Sequence, residues 1–237
     1  MDLKEVGLLG GDEGSHWYYA SKGRALQRCL VDRQPEQILD VGAGSGFFSK
    51  MLLRKTTAKS AICVDPGYTE DRSEIQSGKP IAFRRVHAVG AADVILLLDV
   101  LEHVDDDVGL LRPYAEAARL GTRFVVSVPA FSWLWSAHDE FLEHRRRYTL
   151  SQILRVLSRA GLSPVTGFYF FAALFPAVAA RRLWRRWWTP ERMPRSDLRQ
   201  HHPVTNGILT GVCLAECAIA RHNRAFGLTA FGVAEKT

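Results

Sequence analysis

Three glycines at alternate positions end the run Ile38 to Gly46 (ILDVGAGSG), which passes from apolar residues and Asp40 straight into Gly42, Gly44 and Gly46. A chain that leaves a buried strand, turns sharply and lets a ligand approach its backbone needs residues without a β-carbon at those points. The spacing is GxGxG, not the GxGxxG that seats a pyrophosphate on a helix N-terminus, so the loop reads as a nucleotide-cofactor loop other than NAD's. Further on, the apolar run Ala61 to Val64 ends in Asp65, Pro66 and Gly67. An acid at the tip of a second strand can accept both hydrogens of a ribose diol, so the cofactor carries a free ribose.

The second group of candidates follows Ala92 to Leu98 (ADVILLL), a continuous apolar run of the kind that forms a parallel strand buried on both faces. It ends in Asp99, Val100, Leu101, Glu102 and His103. Strand tips of this kind hold ligands in doubly wound folds, and an imidazole there is placed to take a proton from a hydroxyl nucleophile. The alternative is that Glu102 and His103 only orient the following loop. The third group spans Ser127 to Thr149, where Trp133 and Trp135 precede His138, Asp139, His144, Arg145, Arg146, Arg147 and Tyr148. Arginines leaving a strand at the substrate side can clamp a carboxylate or phosphate, or Asp139 can brace Arg146 or Arg147. No convincing Ser-His-Asp or Cys-His arrangement accompanies these groups.

With DVGAGSG, Asp65, DVLEHV and VPAFSWLWSAHDEFLEHRRRYT in hand, the chain resembles the class I S-adenosylmethionine-dependent methyltransferases. The likeness extends to HWYYASKGRAL near the start and NRAFGLTAFGVAEK near the end, which are similar to one bacterial branch. It implies S-adenosylmethionine as cofactor. Asp40 and the backbone near Gly42 and Gly44 would then face its amino-acid part and Asp65 its ribose, with Ala43, Gly46, Pro66, Asp99 and Val100 also in the cofactor site. Where the family often has an acid after strand three, this chain has His87, Ala88, Val89 and Gly90, whose backbone is left to read adenine. His103, Glu102, His138 and Asp139 become the catalytic candidates, and Trp133, His144, Arg146, Arg147 and Tyr148 the substrate-binding ones. The DxxEH spacing of Asp99, Glu102 and His103 is also similar to the ExxEH by which ubiquinone-pathway O-methyltransferases bind a divalent metal, but the site is read here as metal-free. The resemblance implies methylation of oxygen or carbon on a small-molecule or lipid-linked intermediate. RNA or protein methylation, and a non-catalytic cofactor-binding module, are the alternatives. DNA is disfavoured, since no NPPY-like tetrapeptide follows strand four.

The elements that must hold these residues alternate. Helices are expected over Trp17 to Asp32, Phe47 to Lys55, Asp105 to Leu120 and Leu150 to Ala160. The first strand is expected to end at Asp40, the second at Asp65 and the fourth at Leu98, with Ile81 to Val86 as the third and Arg123 to Val128 as the fifth. Val165 to Phe170 and Leu228 to Ala234 make strands six and seven, a final antiparallel hairpin. The fold class is a doubly wound, Rossmann-like α/β sheet of seven strands with helices on both faces. One domain is expected, with a helical cap over 1–35, a cofactor core over 36–170, a helical insertion over 171–226 and the last strand over 227–237.

Apolar content of 47% is ordinary for a globular chain of 237 residues, and the four cysteines form no CxxC pair. The start, MDLKEVGLLGGDEG, lacks the basic and apolar regions of a secretion signal, so a cytoplasmic protein is expected. The net charge of +6 is concentrated around Arg145 to Arg147 and Arg181 to Arg199. On a helix through Phe171 to Trp188, Arg181, Arg182, Arg185 and Arg186 share one face opposite Leu183, Trp184, Trp187 and Trp188. Such a helix suits either peripheral contact with an anionic membrane or a lid over an anionic or lipid-like substrate. Glu216, set in an apolar stretch, is expected to pair with an arginine.

Overall fold

The computed structural model describes residues 13–188, 193–197 and 199–237. Its strands are β1 (Gln37–Val41), β2 (Ser60–Val64), β3 (Arg72–Gln76), β4 (Lys79–Arg84), β5 (Val94–Leu98), β6 (Arg123–Pro129), β7 (Ser163–Phe170) and β8 (Thr229–Glu235). Its α-helices are α1 (Trp17–Cys29), α2 (Phe47–Lys55), α3 (Asp107–Ala117), α4 (Ala137–Phe141), α5 (Leu150–Arg159), α6 (Phe175–Trp188) and α7 (Pro203–Glu216).

One sheet runs in the order β3-β4-β2-β1-β5-β6-β8-β7. The pairs β1-β2, β2-β4, β1-β5 and β5-β6 are parallel, and β8 lies antiparallel to both β6 and β7. Side chains alternate between the two faces of a strand, so the apolar runs divide into two cores. Ile38, Leu96 and Leu98 pack with Leu26 of α1, Leu52 of α2 and Cys213 of α7. Leu39, Ile95 and Leu97 pack with Leu111 of α3 and Leu157 of α5 on the other side. That is the doubly wound fold expected from the sequence.

The strand count is eight, one more than expected. A hairpin, not a helix, follows β2: β3 pairs antiparallel with β4 across Ser77 and Gly78, whose φ angles of 53° and 76° are the two positive values of a type I′ turn. The third expected strand accordingly begins earlier and ends at Arg84. The helix before β6 starts at Asp107, because the Asp106 side chain accepts from the Gly109 N–H and caps it. The insertion helix starts at Phe175, after a corner where Phe171 has a φ of 61°. Glu216 fixes that corner. Its two carboxylate oxygens accept from the backbone N–H groups of Ala172 (2.8 Å) and Ala173 (3.1 Å), in place of the arginine partner expected for it.

Among the described residues no helix is long and apolar enough to cross a membrane. The uncharged stretch from Ala160 to Ala180 is divided between β7 and the start of α6. All four cysteines are buried and free. The insertion is tied to the first helix through Asn206 of α7, which accepts from the Trp17 N–H (2.9 Å) and donates to the Ser15 carbonyl (2.7 Å).

Candidate functional site

The glycine loop closes on the end of β2. Gly42, Gly44 and Gly46 have φ angles of 69°, 54° and 71°, left-handed values that side chains oppose. The Gly42 and Ala43 N–H groups donate to the Val64 carbonyl, and the Gly44 N–H donates to Asp65 Oδ2 at 2.9 Å. A β-carbon at Gly42 would stand 2.5 Å from Val100 Cγ2, and one at Gly46 2.7 Å from Phe83 Cε1, so the tight turn admits neither. Asp40 lies beneath this loop, 2% exposed, accepting from Ser49 Oγ at 2.8 Å. Burial pushes its pKa up to about 6. Asp40 therefore supports the loop from behind and lines neither of the two cavities described below.

A cavity of about 470 Å³ opens where β1, β2, β4 and β5 end, lined by Gly42, Asp65, Pro66, Asp99, Val100 and His103. Arg85, Val86 and His87 also line it, and of the four residues left to read adenine only His87 does so. The place is the switch point of a doubly wound sheet, the usual seat of a nucleotide. Asp65 accepts from Gly44 and Gly67 N–H groups, which hold its carboxylate at the cavity edge. These residues fit an adenosyl cofactor. Ala43, Gly44 and Gly46 shape the turn without lining the cavity.

A second cavity, of about 440 Å³, lies between the sheet edge and the insertion and shares Asp99 and His103 with the first. Asp99, at a φ of 56°, forms an ion pair with Lys22 of α1, whose Nζ also donates to the Tyr18 hydroxyl at 3.2 Å. Burial works against the Asp99 carboxylate, but Lys22 outweighs it and holds its pKa below the usual range. Glu102 is fully buried at the cavity floor, and neither of its carboxylate oxygens has a hydrogen-bond partner among the described residues. Burial and the neighbouring Asp99 raise its pKa well above the usual carboxylate range. The ligand atoms of Glu102, His103 and His144 lie within 4.8 Å of one another, so among the described residues this trio, and not the set with Asp99, is grouped closely enough to hold a cation.

His144 is set by Asp139. Its Nδ1 lies 3.0 Å from Asp139 Oδ1, its ring stands edge-on to that of His103 at 4.8 Å, and it lines the second cavity. Asp139 is fully buried and also receives two bonds from Arg147, at 2.6 and 2.9 Å. Burial would raise its pKa, but His144 and Arg147 hold it well below the usual range. His138 lines the same cavity with Nδ1 accepting from the Asp197 N–H at 3.1 Å, and burial lowers its pKa to about 4.

The expected arginine clamp is instead a set of braces. Arg145 pairs with Asp105, and Arg146 reaches the Asp105 carbonyl (2.7 Å) and Asp107 (3.6 Å). Tyr148 is buried, donating to the Leu101 carbonyl and Asp107, so burial pushes its pKa up. Trp133 packs edge-on against Phe175 at 5.7 Å. Trp133, Arg146 and Tyr148 thus lie outside the cavity lining. Arg147 faces the cavity, but its guanidinium is taken by Asp139 and the Ala130 carbonyl.

The basic face of the insertion helix is only partly solvated. Arg181 and Arg182 both pair with Asp197 at 2.8 Å, and Arg182 is only 10% exposed. The side chains of Arg186, Trp187 and Trp188 lie outside the described residues. Sequence reasoning missed Lys22, Tyr18, Asp197 and Arg199. Lys22 left one signal: it stands between Tyr19 and Leu26 on the buried stripe of an amphipathic helix, where a cation demands a partner.

A model of the family described as "Methyltransferase domain" matches residues 15–166. No curated protein matches the sequence. Among solved structures, a chain of the complex between the Haloferax volcanii Trm112 methyltransferase activator and a candidate methyltransferase is similar at a TM-score of 0.54 and 14% identity, with 96% of this chain and 92% of that chain covered. A candidate sarcosine dimethylglycine methyltransferase from Galdieria sulphuraria aligns at 0.53 and 14%, with 92% and 85% covered. The [4+2]-cyclase SpnF aligns at 0.55 and 14%, with 92% and 81% covered. At such identities these likenesses show the fold. With the family match spanning most of the chain, and with a glycine loop and strand-tip acid that fit an adenosyl cofactor, the protein belongs to the class I S-adenosylmethionine-dependent methyltransferases.

Proposed function

We propose that the protein methylates an oxygen or carbon of a small or lipid-linked acceptor held in the cavity beneath the insertion. The observation that carries this reading is that the acceptor cavity and the cofactor cavity meet at Asp99 and His103. S-adenosylmethionine supplies an electrophilic sulfonium methyl, so the protein has to align the acceptor in line with it and keep water out. The insertion covers the acceptor. His144, with Nδ1 turned toward ionised Asp139, offers Nε2 as the proton acceptor for a hydroxyl nucleophile, and His103 stands beside it. This moves the base from His103, favoured by the sequence, to His144.

Labelled S-adenosylmethionine incubated with the protein and fractionated cell extract tests the reading. Label should enter a small-molecule or lipid fraction, and His144→Asn should lower transfer by about 100-fold or more with cofactor affinity intact. Label in RNA or protein alone would overturn it.

One observation favours a second reading of the floor. The unpartnered, buried Glu102 carboxylate faces His103 and His144, and a divalent cation there would satisfy all three and bind the acceptor oxygen. Activity lost in chelator and restored by a metal, with metal binding abolished in Glu102→Gln, selects this reading over the base.

A further inference from the structure

Three arginines, Arg181, Arg182 and Arg199, line the acceptor cavity together with Asp197. Arg181 and Arg182 of α6 share Asp197, each at 2.8 Å, and Arg199 lines the same cavity. The Arg199 carbonyl accepts from His16 Nε2 at 3.1 Å, while its side chain makes no hydrogen bond or ion pair among the described residues. Arg182 donates to the Leu134 carbonyl at 2.7 Å, yet its Nε is buried without a partner among the described residues. Burial of this guanidinium lowers its pKa, a sign that its charge is under-compensated. His138 adds no positive charge, being held neutral with Nδ1 accepting from the Asp197 N–H. Leu174, Ala177 and Val178, at and within the start of α6, and Leu209 of α7 add apolar side chains to the lining of the same cavity.

We propose that Arg181, Arg182 and Arg199 form an anion subsite at the roof of the acceptor cavity, which takes the phosphate or carboxylate head of an amphiphilic acceptor whose apolar body lies along Leu174, Val178 and Leu209. This rests on the acceptor cavity assigned above and names the class of molecule that enters it. A cavity with low-dielectric walls and an excess of two positive charges concentrates anions, and guanidiniums meet phosphate and carboxylate oxygens in a two-pronged geometry. Asp197 alone cannot neutralise three arginines, and of the other lining acids Asp99 is already paired with Lys22. Recognition of the anion thereby moves from the segment Arg145 to Arg147, which is engaged in braces, to the insertion.

Calorimetry with dodecyl phosphate below its micelle concentration, inorganic pyrophosphate and the uncharged dodecyl maltoside tests the subsite. Dodecyl phosphate should bind at one site, pyrophosphate more weakly, and dodecyl maltoside at least about tenfold more weakly than dodecyl phosphate. Arg199→Gln should weaken dodecyl phosphate about tenfold, and Arg182→Gln by at least as much, with Arg182→Lys recovering part of the loss and cofactor affinity unchanged throughout. Arg199→Gln keeps the test decisive if Arg182→Gln fails to fold. Equal affinity for the charged and uncharged amphiphiles, or unchanged affinity in Arg199→Gln together with folded Arg182→Gln, overturns the subsite. Vesicles separate the two sources of such an anion. Sedimentation with phosphatidylglycerol but not phosphatidylcholine vesicles, competed by dodecyl phosphate, supports a lipid headgroup. Retained dodecyl phosphate binding without sedimentation supports a dissolved acceptor. If dodecyl phosphate binds but S-adenosylmethionine does not, the methyltransferase reading fails and the subsite stands.

Discussion

Lys22, fully buried in the first helix, and half-buried Asp99 at the tip of β5 form an ion pair at the wall shared by the two cavities. The pair makes the first helix part of the site, since Asp99 lines both cavities and Lys22 is the cation that compensates it. Ser127 Oγ lies 3.3 Å from the other carboxylate oxygen, so β6 also helps to fix Asp99.

Replacing Lys22 by Met should leave Asp99 without its cation and cost about 3 to 5 kcal/mol of stability. Urea unfolding measures it. The double variant Lys22→Met with Asp99→Asn should recover at least half of the loss, because the uncompensated charge is gone. Additive losses in the double variant would show that Lys22 stabilises by packing alone.

Asp65→Ala should weaken S-adenosylmethionine and its demethylated product alike, by about 1 to 3 kcal/mol, through lost hydrogen bonds to the ribose. Because Asp65 also accepts from the Gly44 and Gly67 N–H groups, Asp65→Asn is the companion variant. Isothermal calorimetry on both decides whether the loss belongs to the ribose or to the loop. Unchanged affinity in folded Asp65→Ala removes the residue from the cofactor site.

Asp139 carries a pH dependence of known sign. Its folded pKa is depressed, so its contribution is present above the unfolded value near about 4 and is lost as pH falls through the folded one. Unfolding free energy should therefore fall steeply below about pH 4 in the natural protein and more gently in Asp139→Asn. At neutral pH Asp139→Asn should cost about 3 kcal/mol, since it leaves Arg147 buried beside a neutral amide. Parallel acid limbs for the two proteins would place the titration elsewhere.

Asp40 has the opposite sign. Burial raises its folded pKa to about 6, so ionisation costs stability as pH rises from the unfolded value near about 4 and the cost is complete above about pH 6. Asp40→Asn should match the natural protein at low pH and exceed it by about 2 kcal/mol at neutral pH. Urea unfolding across that range gives the difference. A neutral-pH loss in the variant would mean that the bond from Ser49 outweighs burial.

The glycine loop, Asp65 and the β5 tip were legible in the sequence because each is a local requirement: a backbone angle, a strand end, a run of apolar residues. β3 and its hairpin with β4 were missed for a related reason, since Arg72 to Gln76 is exposed and charged and carries no apolar run to mark a strand. Arg146 and Arg147 show where local reading stops. A guanidinium clamps a ligand or braces an acid according to which carboxylate the fold brings near, and Asp105 and Asp107 lie some forty residues away from Arg146 in sequence. The link between Asp139 and His144 was within reach, five residues apart, but its direction toward the cavity was not. Lys22 and Arg199 belong to segments at opposite ends of the chain, and only the folded sheet brings them to one site.

The placement of β8 has a consequence for how the molecule assembles. Residues 229–235 follow β7 in chain order by some sixty residues, yet they fill the slot between β6 and β7, pairing with both along their lengths. Until they arrive, β6 and β7 have no seam, and the insertion between β7 and β8 is tethered at one end only. Leu228 and Thr229, at the entry to that strand, also line the acceptor cavity. Such pairing across a long stretch of chain is slow to form, because loop closure precedes its reward. The parallel strands that carry the cofactor cavity pair without β8, whereas the acceptor cavity takes part of its lining from the entry to that strand.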